Sequence, residues 1–105
     1  MNPDPALALE QAFRQEIPVR IFPTPNLLLS YKPRESLSIA RTERPPDALD
    51  IEHAISVARE AFIILAGEPE RKVVEWQGVL WHVAQWKLKR ESVAGHLPLK
   101  KERVR

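Results

Sequence analysis

Residues 72–83 read KVVEWQGVLWHV and hold two of the three tryptophans in the chain. Gln77 and Gly78 suit the tip of a two-residue loop, which makes the two halves of this stretch pair as a tight β-hairpin. Trp76 then lies opposite Val79. Because a slip of one residue would move every side chain to the other side of the ribbon, the pattern predicts the register as well as the hairpin.

The same register places Val74 opposite Trp81, on a side of the ribbon where five of six residues are apolar. We therefore expect Trp76 and Trp81 to lie in the core and to fix the hairpin to a neighbouring helix. A single helix over residues 70–89 is the alternative. It would distribute the tryptophans around the whole helix, which a surface helix of a small protein rarely tolerates.

A long helix is predicted before the hairpin, over about residues 48–66. Asp47 is a suitable N-cap, and Gly67 is a natural stop at the other end. Apolar residues recur between these two positions every three or four residues, which makes one stripe along the helix. The stripe consists of Ile51, Ala54, Ile55, Ala58, Phe62 and Leu65.

The N-terminal third predicts a short helix followed by strands. Asp4 and Pro5 are typical of a helix start, and Pro18 ends that helix. A short strand is expected over residues 19–22, and alternating side chains predict a hairpin over 26–41. One face of that hairpin is apolar, and it consists of Leu27, Leu29, Leu37 and Ile39.

The predicted fold class is α+β, with antiparallel hairpins packed on one long central helix (about 48–66) and a short N-terminal helix. With 105 residues and a mass of 12.1 kDa, the chain fits one domain. We expect this domain to span residues 1–100, with a last short edge strand at 96–100. Residues 101–105 are expected to form a basic, frayed tail.

The composition favours a cytoplasmic protein that does not enter membranes. The chain has no cysteine, so disulfides and thiolate metal sites are excluded, and a reducing compartment fits. Its longest uncharged runs, 21–31 and 76–86, have eleven residues each. A helix needs about 18 apolar residues to cross a bilayer.

The motifs of common enzymes are missing from the sequence. The three glycines are far apart, whereas phosphate-binding loops need clustered glycines. The three histidines show no ligand spacing. We therefore expect no catalytic residue, no cofactor and no metal, and the chain is predicted not to be an enzyme.

One short pattern suggests a metal-dependent nuclease as an alternative. Asp47 follows a proline, and Glu70 and Lys72 lie downstream, so two acids and a lysine could hold a metal and activate water. The predicted helix between the two halves argues against this arrangement. Asp47 is better explained as a helix cap.

Charge is distributed unevenly along the chain. Residues 1–86 hold nine basic and twelve acidic residues, whereas residues 87–105 hold seven and two. Cations beside an aromatic ring can contact a nucleic-acid backbone and stack on a base. The predicted nucleic-acid-binding residues are Lys87, Lys89, Arg90, Lys100, Lys101 and Trp86.

The sequence thus predicts a small accessory protein, a non-catalytic binding module that contacts nucleic acid through its basic C-terminal end. The alternative is a protein–protein adaptor or assembly subunit. Such a protein would form a homodimer or larger oligomer, or dock on a protein partner, through the tryptophan-bearing hairpin.

Overall fold

The computed structural model describes residues 4–89, which form two helices and five strands. This confirms the α+β class. The predicted strand at 96–100 and the predicted tail at 101–105 lie outside the described residues. In chain order the elements are α1 (Pro5–Gln15), β1 (Val19–Thr24), β2 (Leu27–Lys32), β3 (Ser36–Arg41), α2 (Ala48–Glu60), β4 (Leu65–Trp76) and β5 (Val79–Leu88).

The five strands form one antiparallel sheet in the order β1-β2-β3-β5-β4. Both helices pack on one face of it, and the core fills the space between them. Alternation along β2, β3 and the second half of β5 directs large apolar side chains to that face. The largest fully buried side chains are Trp86, Phe13, Leu9, Leu27, Leu29, Leu37 and Ile39.

Helix α1 forms as the sequence predicts. The Asp4 side chain accepts a hydrogen bond from the Ala6 backbone N–H, at 3.2 Å, and Pro5 occupies the first turn. Leu9 and Phe13 are fully buried, so the apolar side of the helix faces the sheet. The helix ends at Gln15, and the residue that caps it, Glu16, has a φ of 56°.

The prediction of one long central helix is wrong, because α2 ends at Glu60 and has 13 residues, against 11 in α1. Phe62 adopts a φ of 65° and takes the position that glycine usually holds after a helix. The Ile63 N–H then bonds the Ala58 carbonyl at 2.9 Å, and the Phe62 N–H bonds the Arg59 carbonyl at 3.1 Å. These two bonds form a Schellman motif, which ends the helix. The apolar run that follows therefore leads into β4, which begins at Leu65.

Both predicted hairpins are present, and the second also has its predicted pairings. In the first, Leu29 lies opposite Ile39 and Tyr31 opposite Leu37. In the second, Trp76 lies opposite Val79. Its strands are longer than residues 72–83, and they extend past the end of β3, so the tip projects as an arm.

A buried ion-pair cluster ties α2 to the sheet. Arg41 on β3 makes two hydrogen bonds of 2.8 Å with the Asp50 carboxylate on α2. Arg44 adds a third at 3.0 Å, and the Asp47 backbone N–H adds a fourth at 3.0 Å. The Arg41 guanidinium is the main reason that the pKa of Asp50 lies far below its ordinary value. Asp47 and Asp50 also cap each other's backbone N–H at the helix start.

None of the helices within residues 4–89 combines the length and the apolar character needed to cross a bilayer.

Candidate functional site

The face of the sheet that the helices leave open is a groove of about 700 Å³ to which all five strands contribute. Its side chains alternate with those that enter the core. Trp76, Trp81 and Lys72 belong to this face, at the end of the groove nearest the projecting arm. The other lining residues are Pro18, Val19, Arg20, Leu28, Ser30, Tyr31, Lys32, Ser38, Ala40, Val74, Val83 and Gln85.

The sheet is strongly curved around this groove. The Arg20 guanidinium carbon lies 4.9 Å from the centre of the Trp76 ring, a cation–π contact. These two residues stand on β1 and β4, which are the opposite edges of the sheet. Glu70, not Trp76, lies in the cross-strand row of Arg20. The contact therefore requires the arm to bend back across the open face.

Side-chain size explains the direction of the curve. On the open face β2 and β3 carry Ser30, Ser38 and Ala40 beside one large apolar residue, Leu28. On the core face the same strands carry five large residues, Leu27, Leu29, Tyr31, Leu37 and Ile39. A sheet bends towards the face that has less volume to accommodate. The β-bulges in the two edge strands add to the twist.

The floor of the groove is polar in the middle. Arg20, Ser30, Ser38 and Gln85 face one another in a single row across four strands. The Gln85 Nε2 also donates a hydrogen bond of 2.9 Å to the Ser36 hydroxyl. Hydroxyl and amide groups in this row can both donate to and accept from a ligand.

Three cations and no carboxylate line the groove among the residues that the structure describes. The cations are Arg20, Lys32 and Lys72, one from each of three strands. Lys87 belongs to the same face, two residues beyond Gln85 on β5. Glu70 is the acidic residue that shares this face by strand alternation. It lies on the edge strand β4 and is not one of the residues that line the groove.

The two groove tryptophans form a pair. Their ring centres are 6.1 Å apart, with an angle of 58° between the planes. The Trp76 side chain is 40% exposed, which leaves ring surface open to a ligand. The Trp81 Nε1–H is buried and finds no hydrogen-bond partner among the described residues. A buried donor of this kind costs free energy until an acceptor satisfies it.

The tryptophan positions predicted from the sequence are reversed. Trp86, predicted to bind nucleic acid, is 1% exposed and packs in the core, so its ring cannot stack on a base. Trp76 and Trp81, predicted to pack in the core, lie on the open face instead. The reason is that Ala84, Trp86 and Leu88 face the helices, so the alternation of β5 directs Trp81 to the opposite face.

The remaining predicted binding residues are only partly within the described chain. Lys87 and Lys89 are both exposed. The Lys89 backbone N–H donates a hydrogen bond of 2.9 Å to the Ile64 carbonyl, so its backbone is held beside β4. Arg90, Lys100 and Lys101 lie outside the described residues.

Sequence reasoning missed Arg20, Lys32 and Lys72 as members of one site. They are 12 and 40 residues apart in the chain, and only the strand order brings them to one face. One signal was present in the sequence. The serines at positions 30 and 38 leave a shallow surface on the face opposite the core leucines, which is typical of an uncovered sheet.

No metal centre is evident in the described part of the chain, residues 4–89, where His, Asp and Glu side chains nowhere gather in groups of three or more. Asp47 of the nuclease-like pattern caps α2, as expected. Lys72 of the same pattern lines the groove.

Comparison with known proteins gives no match for this chain, whether with family models, with curated proteins or with solved structures.

Proposed function

We propose that the chain is a small non-catalytic binding module whose concave groove binds single-stranded nucleic acid. One observation carries the proposal: three cations and two tryptophan rings line the groove, with no carboxylate among them. Cations attract phosphates, and indole rings stack on unpaired bases. The proposal includes a cytoplasmic location, which the absence of cysteine favours.

The shape of the groove suits a flexible single strand. Its volume of about 700 Å³ lies inside the range of roughly 300–1,000 Å³ that is typical of ligand sites. The Arg20 guanidinium already lies over the Trp76 ring. A base that enters the groove there would take the place of the guanidinium on that ring.

The basic C-terminal end is part of the same proposal, as an extension of the groove. Lys87 stands on the open face, so phosphates that leave the groove at that end would meet it next. Lys89, Arg90, Lys100 and Lys101 follow along the chain. The groove and this end therefore make separate contributions that substitutions can distinguish.

The test is fluorescence anisotropy with a dye-labelled ten-nucleotide strand of DNA and of RNA, over a range of salt. If three phosphates are neutralised, we expect a plot of log affinity against log salt with a slope of about −2. Replacing Lys32 and Lys72 together by Ala should weaken binding on the order of tenfold and make the slope shallower by about 1.4.

Two control variants make the test specific. Arg14→Ala removes an exposed cation on α1 and should leave the affinity unchanged, because Arg14 pairs with Glu10 away from the groove. Lys100 and Lys101 replaced together by Ala measure the basic end. If that variant lost all binding while the groove variant lost none, or if neither strand bound at low salt, the groove would not be the site.

A further inference from the structure

We infer that β4 pairs edge to edge with β4 of a second copy of this chain, and that the two sheets join into one of ten strands. The inference does not depend on the proposed nucleic-acid binding. It is drawn from three features of residues 71–76, namely their free edge, their backbone alternation and the order of their charges.

The two edges of the sheet differ in how they are protected. β1 contains Pro23 and a break in register between Ile21 and Thr24, and both features oppose pairing with another strand. β4 has a similar break between Ala66 and Glu70. Beyond it, residues 71–76 are regular and exposed, with no proline. A long, regular, partly apolar edge is a typical template for strand addition.

The two-residue turn determines which backbone groups face outward. In such a hairpin Trp76 and Val79 exchange hydrogen bonds across the ladder, so Trp76 directs its N–H and C=O towards β5. Alternation then directs the backbone groups of Arg71, Val73 and Glu75 away from β5. These three residues present six groups to an incoming strand.

The charges select one antiparallel register. With Val73 opposite Val73 of the second copy, Glu75 lies opposite Arg71 of the second copy, and the two-fold symmetry makes this ion pair twice. A shift in either direction that keeps the same faces together sets Val73 against Glu75 or against Arg71. Both shifted registers lose the ion pairs and place a valine against a charge.

Arg71 can take part without giving up its own contact. Its Nη1 donates a hydrogen bond of 2.9 Å to the Pro46 carbonyl, and a guanidinium has five N–H donors. Val73, at the centre of the interface, is 58% exposed in the single chain. Strand addition would cover it. The two grooves would then open on the same side of the joined sheet.

Analytical ultracentrifugation of the full chain tests the inference. We expect a concentration-dependent mass that approaches twice the 12.1 kDa of one chain. Glu75→Arg puts arginine against arginine and should raise the dimer dissociation constant on the order of tenfold. Combining Arg71→Glu with Glu75→Arg restores opposite charges and should restore dimerisation. Circular dichroism verifies that each variant is folded.

A cysteine pair tests the register itself, since the natural chain has no cysteine. Val73→Cys should form a disulfide-linked dimer in air. Leu80→Cys is a matched control, because Leu80 is equally exposed, at 59%, but lies on β5, with both β4 strands between the two copies. A mass of one chain at all concentrations, no rescue by the charge exchange, or equal crosslinking at both positions would each overturn the inference.

Discussion

The three tryptophans differ in what surrounds each indole ring. Trp86 lies opposite Leu37, which is itself fully buried, and Trp86 is the largest fully buried side chain in the described chain. Trp76 lies near the tip of the arm and contacts Arg20 and Trp81. Trp86 therefore contributes to the stability of the core, whereas Trp76 and Trp81 lie on the open face of the sheet.

Trp86→Ala and Trp76→Ala should differ in their effect on stability. Trp86→Ala leaves a large cavity in the core and should lower the free energy of unfolding by roughly 3–5 kcal/mol. Trp76→Ala should cost about 1 kcal/mol, because the ring is already 40% exposed. Urea unfolding followed by far-ultraviolet circular dichroism measures both. Equal losses would contradict the assignment of Trp86 to the core.

The sequence predicts which side chains share a face of this hairpin, but it does not predict which face is exposed. Alternation separates Val74 and Trp81 from Val73 and His82, and the structure confirms that separation. It does not say which side meets a helix. That depends on where the helices end and how far the arm extends beyond β3, and both are properties of larger pieces of the chain.

At the scale of the element, the turn of the tryptophan hairpin is held by backbone conformation. Gln77 and Gly78 have φ angles of 54° and 78°, as a two-residue turn of this type requires. Glycine adopts such angles freely, whereas glutamine does so at a cost. The arm therefore forms with a turn that is not optimal.

Gln77→Asn should stabilise the protein by about 0.5 kcal/mol, because asparagine tolerates positive φ better than glutamine. The expected rise in melting temperature is about 2–4 °C, measured by thermal circular dichroism.

Gly78→Ala should have the opposite effect and destabilise the protein. A Cβ at Gly78 would meet nothing within 4 Å, so its expected cost of about 1 kcal/mol is purely conformational. A stabilising Gly78→Ala would show that the turn has another geometry.

Helix ends were harder to predict than hairpins. The register of a hairpin follows from alternation and from a recognisable turn, and both are local. The end of α2 depends on Phe62 adopting a positive φ, which a phenylalanine rarely does. The apolar run after Glu60 fits a helix and a buried strand equally well. Pairing of Leu65 with Leu88 decides in favour of the strand.

At the scale of the whole molecule, the Asp50 cluster joins parts that are distant in the chain. Arg41 comes from β3, Arg44 from the connecting loop and Asp50 from α2. Arg71 of β4 bonds the Pro46 carbonyl in the same loop. The side chains of Arg41 and Asp50 are only 11% and 8% exposed, so loss of one partner leaves the other buried.

This cluster should make the fold sensitive to acid. The pKa of Asp50 is lowered in the folded state, so its contribution to stability is complete above about pH 4. The contribution is lost as the pH falls below the ordinary pKa towards the lowered one. Asp50→Asn should cost about 3 kcal/mol at neutral pH and should flatten the loss of stability between about pH 4 and pH 2.

Urea unfolding at pH 7 and at pH 3 measures both effects of Asp50→Asn. Asp47→Asn is the matched control, since asparagine also caps helices and the Asp47 side chain is 52% exposed. It should cost less than about 1 kcal/mol. If Asp50→Asn and the natural chain lost the same stability between the two pH values, the carboxylate would not be the acid-sensitive group.

The positions of the three indoles also mean that tryptophan fluorescence and circular dichroism report on different parts of the protein. Buried Trp86 should emit at short wavelength until the core opens, whereas exposed Trp76 should emit at longer wavelength and be quenched when the groove is occupied. Rings 6.1 Å apart, as in Trp76 and Trp81, should also couple excitonically and give a paired circular-dichroism signal. One unlabelled sample can therefore separate unfolding of the core from movement of the arm.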